Sequence, residues 1–223
     1  MTALEDRIRE AIQVAIAHAL RKGSPEDLAI CRHESAHALA AWACGAPPLR
    51  EVSVSWVGGG QTDNRRPRPE GLPDVPIADV YAFMRRESPA ELRAITSRQI
   101  VTLLAGRAAD ERGDYRPDRS CSQSDIDKAA HLAAETVGPV ELKRFMAPLE
   151  AAALSLVSDG WPIICELAAW LSDERRLPGP VISAWLNCRE DARKLQDHAA
   201  FASPVREAAR TTSGPLEVVP GAS

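Results

Sequence analysis

Aromatic side chains are scarce: Phe, Trp and Tyr together make up only 4% of the chain. A β-sandwich core built on large rings is therefore not expected, and abundant alanine points instead to closely packed helices. A basic excess is also lacking. Acidic residues outnumber Lys and Arg by 31 to 27, whereas a nucleic-acid binder ordinarily carries a basic face. The short run Arg65 to Arg68 is flanked by acids and reads as solvated surface. No uncharged apolar run reaches the roughly 18 residues of a membrane span. Glu5, Asp6, Arg7, Arg9 and Glu10 argue against a signal peptide in the first twenty residues. Nucleic acid and membrane are thus not expected partners. The five cysteines, Cys31, Cys44, Cys121, Cys165 and Cys188, form no C-x-x-C pair. They read as reduced thiols of a cytoplasmic protein, not as a disulfide framework.

What is present is an ordinary globular composition, 45% apolar and 26% charged over 223 residues, enough to bury a sizeable core. Leu4, Ile8, Ile12 and Ile16 recur every four residues, so residues 1–23 read as an amphipathic helix with a stop at Gly23. Ser24-Pro25-Glu26-Asp27 restarts the chain with a cap, a proline and an acid three residues on. That helix is expected to run to about Cys44. Val52, Val54 and Trp56 then alternate with polar residues, which is strand patterning. Gly58-Gly59-Gly60 breaks the strand, and Gln61 to Pro76 reads as a loop. Helices follow: one opened by Ser88-Pro89-Ala90-Glu91 and running towards Arg112, one from Ser122 to about Val137, one from Gly138-Pro139 to Ser158, one from Pro162 to Leu171, and one from Pro180 to about His198. Residues 201–223 read as a disordered tail. The expected fold is mainly α, an α+β domain over residues 24–200 with a small β-sheet after the second helix.

That helix carries the most informative stretch, Cys31-Arg32-His33-Glu34-Ser35-Ala36-His37, which contains H-E-x-x-H. Residues four apart share a helix face, so His33 and His37 can both reach one metal ion. Glu34 is turned by about 100° and can meet a water molecule beside that ion. Two imidazoles that hold Zn²⁺, and a carboxylate that accepts a proton from water, are the parts that zinc-assisted hydrolysis needs. The helix around them is apolar (Leu28, Ile30, Leu39, Trp42), and buried ionisable groups cost free energy unless something satisfies them.

A catalytic zinc takes a third protein ligand and keeps one position open. Ala40 and Ala43 stand where a metzincin would have its glycine and third histidine. The third ligand is therefore expected farther along, among Asp110, Glu111, Asp125, Asp127 and His131. Cys31 lies off the ligand face and reads as core.

In four further places the chain resembles the peptidase domain of the FtsH family of ATP-dependent zinc proteases, the M41 peptidases. Leu104-Ala105-Gly106-Arg107-Ala108-Ala109-Asp110-Glu111 is similar to that family's L-A-G-R-A-A-E-E helix. Ser124-Asp125-Ile126-Asp127-Lys128-Ala129-Ala130 is similar to its N-D-L-x-x-A-T segment. Leu167-Ala168-Ala169-Trp170-Leu171, with Glu174 and Leu177, is similar to its L-A-x-x-L-L-x-x-E-T-L ending. Val52-Ser53-Val54 and Gly60-Gln61-Thr62 resemble the strand and turn after its catalytic helix. The blocks keep the family's order from about Leu28 to Leu186. The chain departs from the family at Ala36, where a glycine is usual, and in the turn, which lacks the usual leucine.

The resemblance implies a helical, zincin-like peptidase domain with Asp125 as third zinc ligand, beside His33 and His37, and Glu34 as general base. A place in the first turn of a helix opening at Ser122 would suit the Asp125 carboxylate, because the helix dipole favours negative charge there. Asp110 and Glu111 then become acids around the site, and His131 a surface residue. It also implies a polypeptide substrate added as a strand along Val52, Val54 and Trp56. No G-x-x-x-x-G-K-[ST] loop occurs in the chain, so cleavage is expected to be independent of ATP. A homo-oligomer or a separate ATPase is the partner this leaves room for. The alternative is a catalytically silent, peptidase-like scaffold or adaptor with structural zinc.

Overall fold

A computed structural model describes residues 22–46, 48–55, 60–63, 77–113 and 120–197. The expected N-terminal helix, the basic run from Arg65 to Arg68, Trp56 and the tail at 201–223 lie outside the described residues.

The first described helix, α1 (Pro25–Ala43), begins as its sequence dictates. Ser24 is extended, and its hydroxyl accepts the Asp27 N–H at 3.1 Å. The Asp27 carboxylate accepts the Gly23 N–H at 3.1 Å in return, so two orphan donors are satisfied reciprocally. Gly45, at φ 61°, follows the helix end in the left-handed region that glycine tolerates. From Cys31 onward α1 is buried on almost every side; Ala36, Ala38, Leu39 and Ala40 are inaccessible. A helix enclosed on all faces belongs at the centre of a domain, and α1 packs against most of the other elements.

Two short strands follow, β1 (Glu51–Val54) and β2 (Gly60–Asp63). Helices α2 (Ile77–Glu87), α3 (Pro89–Arg112), α4 (Ser120–Val137), α5 (Leu142–Asp159) and α6 (Trp161–Glu174) come next. Then come β3 (Arg176–Pro178), α7 (Gly179–Asn187) and α8 (Glu190–Asp197). The architecture is mainly helical with a three-stranded antiparallel sheet in the order β2-β1-β3. Leu39, Ile100, Leu104, Leu149, Leu156, Ile164, Leu167 and Leu186 belong to one core cluster that joins α1, α3, α5, α6 and α7. Among the described residues no single helix is long and apolar enough to cross a membrane.

Several details differ from the sequence reading. Ser88 does not cap α3 through its side chain. It stands directly between two helices: its N–H donates to Met84 O and its carbonyl accepts the Leu92 N–H. Helix α4 begins at Ser120, so Asp125 sits in the second turn, beyond the reach of the first-turn dipole argument. The expected final helix is two, α7 and α8. The Gln61 stretch pairs as β2.

The sheet also corrects the expected substrate strand. β1 has β2 on one side, with Val52 opposite Thr62, and β3 on the other, with Val52 opposite Leu177. Both of its edges are taken, and the Val52 and Val54 side chains are buried in the core. A further strand has no place along Val52 and Val54.

A candidate metal centre

His33 and His37 project from one face of α1 into the space between α1, α3 and α4, and both are buried. Their Nε2 atoms lie 3.0 Å apart. Asp125 enters from α4, with Oδ2 at 3.3 Å from His33 Nε2 and 3.1 Å from His37 Nε2. Three potential ligand atoms thus form a small triangle, and theirs is the group among the described residues that could hold a metal ion.

The other ring nitrogens decide what this triangle is. His37 Nδ1 is 2.7 Å from Thr102 O. A carbonyl only accepts, so Nδ1 carries the hydrogen. His33 Nδ1 is 2.9 Å from Asp110 Oδ2, which likewise assigns its hydrogen to Nδ1. Ser122 donates to the same Asp110 oxygen. Rings held in this way aim both Nε2 atoms at the Asp125 oxygen, and three lone-pair atoms in contact repel unless a positive charge, a proton or a metal ion, lies among them. Zinc sits at about 2.0–2.2 Å from nitrogen and oxygen ligands, so neighbouring corners of its tetrahedron are about 3.3–3.5 Å apart. The triangle is close to that size, and its donor chemistry fits the ion.

The local electrostatics point the same way. Burial alone lowers the His33 pKa, but the Asp110 and Asp125 carboxylates outweigh it and raise it to about 10. Burial pushes Asp125 upward; its bonds to His33 and His37 overcome this and hold it far below the usual carboxylate range. The second Asp125 oxygen, Oδ1, is engaged by Lys128 Nζ at 3.1 Å. A positive charge is favoured where the three side chains meet.

Glu34 follows His33 around the helix and meets the sheet. The Thr62 hydroxyl lies 2.8 Å from Glu34 Oε2 and 3.1 Å from Glu34 O. Gly60 presses on the same side chain, since a Cβ there would stand 2.4 Å from Glu34 Cγ. His33, Glu34, His37 and Asp125 all open into a cavity of about 630 Å³, with β2 in one wall and Leu103, Lys128 and Leu132 in others.

The remaining sequence candidates are placed elsewhere. Asp110 supports a histidine from behind. Glu111 is paired with Arg107 at 2.7 Å on the surface. Asp127 accepts from Gln123 at 2.8 Å, also exposed. His131 is exposed and faces Glu135 at 3.4 Å. Cys31 is fully buried. The sequence reading gave Thr62, Gly60, Thr102 and Gly106 no part in the site. Gly60 stood as a strand breaker, Gly60, Thr62 and Gly106 as members of the resembling blocks, and Gly106 is also an isolated glycine within a helical pattern.

Compared with known proteins, the chain matches no family model and no curated protein sequence significantly.

Proposed function

We propose that this protein is a cytoplasmic zinc metallopeptidase, similar in its site to the M41 peptidases, that cleaves unfolded or flexible polypeptides without ATP. The observation that carries the reading is the triangle of His33 Nε2, His37 Nε2 and Asp125 Oδ2, with a carboxylate fixed beside it in the wall of an open cavity. His33, His37 and Asp125 would hold the zinc. When bound, the ion supplies Lewis-acid polarisation of a peptide carbonyl and lowers the pKa of a water molecule.

The chain's own groups supply the proton transfers. Glu34 would accept a proton from the attacking water and deliver it to the amine that leaves. Thr62 orients the carboxylate for that task. The substrate chain would lie along β2, which lines the cavity and is paired on one side only among the described residues. An extended peptide can add to such an edge through main-chain hydrogen bonds.

Structural zinc sites are closed by four protein ligands, whereas catalytic ones keep a position open. Three donors facing a cavity favour the catalytic reading over a silent scaffold. The same three donor types also serve ferrous iron in oxygenases; the fixed Glu34 carboxylate favours hydrolysis. The test is metal analysis and peptide cleavage on the purified protein and on Asp125→Ala. Zinc and cleavage in the parent, with both lost in the variant, are expected. Tight zinc binding by Asp125→Ala would overturn the ligand assignment.

A further inference from the structure

We propose that Gly106 decides whether this site can hold a metal ion, because the space that its missing side chain leaves is the space in which the two imidazoles converge. The inference rests on the metal-binding part of the reading above. A Cβ at position 106 would stand 2.5 Å from His37 Nε2 and 2.6 Å from both Cε1 and Nε2 of His33. Non-bonded carbon and nitrogen atoms do not approach so closely, so a ring would have to move.

Neither ring is free to move. Four residues before Gly106, the Thr102 carbonyl holds His37 Nδ1; four residues after it, the Asp110 carboxylate holds His33 Nδ1. Positions 102, 106 and 110 lie along one stripe of α3. The helix therefore presents a clamp, a gap and a second clamp in sequence, and both rings meet over the gap. Moving either ring breaks its clamp and spreads the triangle of ligand atoms. A glycine within a helix weakens it relative to alanine, and here that weakness is offset by the space it provides. Alanine, with one methyl group, already fills the gap.

The experiment compares the full chain with Gly106→Ala. Zinc binding is followed by titration with the metal alone, and coordination by the visible absorption of the cobalt-substituted protein. Folding is followed by circular dichroism and melting in chelator. The wild type is expected to bind one ion per chain. The variant should stay helical in chelator, lose the cobalt spectrum and bind zinc at least about 100-fold more weakly, beyond the usual effect of an outer-shell change.

Undiminished zinc binding by Gly106→Ala, in a wild type that binds zinc, would overturn this inference and leave the metal centre standing. A wild type that binds no zinc would overturn both. Should Gly106→Ala fail to fold, the same change is made in a His33→Ala/His37→Ala chain. There the methyl group has no ring to meet, so the melting temperature should hold or rise. A penalty as large as in the parent would overturn the inference.

Discussion

Thr62 donates its hydroxyl hydrogen to Glu34, 2.8 Å from Oε2, and so ties the proposed general base to β2. A hydrogen bond to an ionised group contributes about 1.5–3 kcal/mol, and about 1.4 kcal/mol is a factor of ten in rate. Thr62→Val keeps the shape and removes the donor. It should lower kcat about 10–100-fold with zinc content unchanged, as steady-state kinetics and metal analysis would show. Loss of zinc in that variant would mean that Thr62 supports the metal centre instead of the base.

Asp110 and Glu111 are neighbours in sequence with different surroundings. Asp110 accepts from His33 Nδ1 at 2.9 Å; Glu111 is exposed and paired with Arg107. Asp110→Ala frees the His33 ring and should weaken zinc binding about 10–100-fold, less than loss of the direct ligand Asp125. Glu111→Ala should leave the affinity unchanged. Competition with a chelator of known affinity ranks the three variants.

Outside the cavity lining, Asp27 at the start of α1 is buried against Arg175 and Ser172. Burial raises its pKa, but the bonds from Arg175 and Ser172 outweigh this and leave it below the ordinary value. A depressed carboxylate stabilises the fold at pH above its unfolded pKa of about 3.9 and loses that contribution as pH falls through the folded value. The melting temperature should therefore drop in this acid range. Asp27→Asn should be less stable at neutral pH by about 3–5 kcal/mol, the cost of breaking a buried pair, and should show a shallower acid slope.

On the proposed peptidase reading, these 223 residues carry no phosphate-cradling loop with which to couple ATP to the unfolding of a substrate. Folded domains are stable by about 5–15 kcal/mol and rarely offer an extended segment. The purified protein should digest a casein-like disordered chain and spare a tightly folded domain, with or without ATP. ATP-dependent digestion of the folded domain would contradict this.

The parts legible in the sequence were those with local causes. Ser24 and Pro25 announce the start of α1, and Val52 and Val54 alternate because one face of β1 is buried. His33 and His37 announce a shared helix face by their spacing. The roles of Gly106 and Thr62 depend on which elements approach α1, and no periodicity encodes that. β2 and β3 were missed because Gly60–Asp63 and Arg176–Pro178 are short, polar or proline-bearing, and they are strands only because β1 pairs with them. The expected substrate strand failed for the same reason: alternation marks Val52 and Val54 as half-buried, but not β1 as the central strand.

Glu34→Gln tests the central claim most directly, because it keeps the size of the side chain and removes only its ability to accept a proton. Zinc content and cleavage of an unstructured peptide are measured on the same preparations of wild type and variant. The account predicts one zinc per chain in both, with cleavage in the variant reduced by about two or more powers of ten. Wild-type cleavage by Glu34→Gln would contradict it.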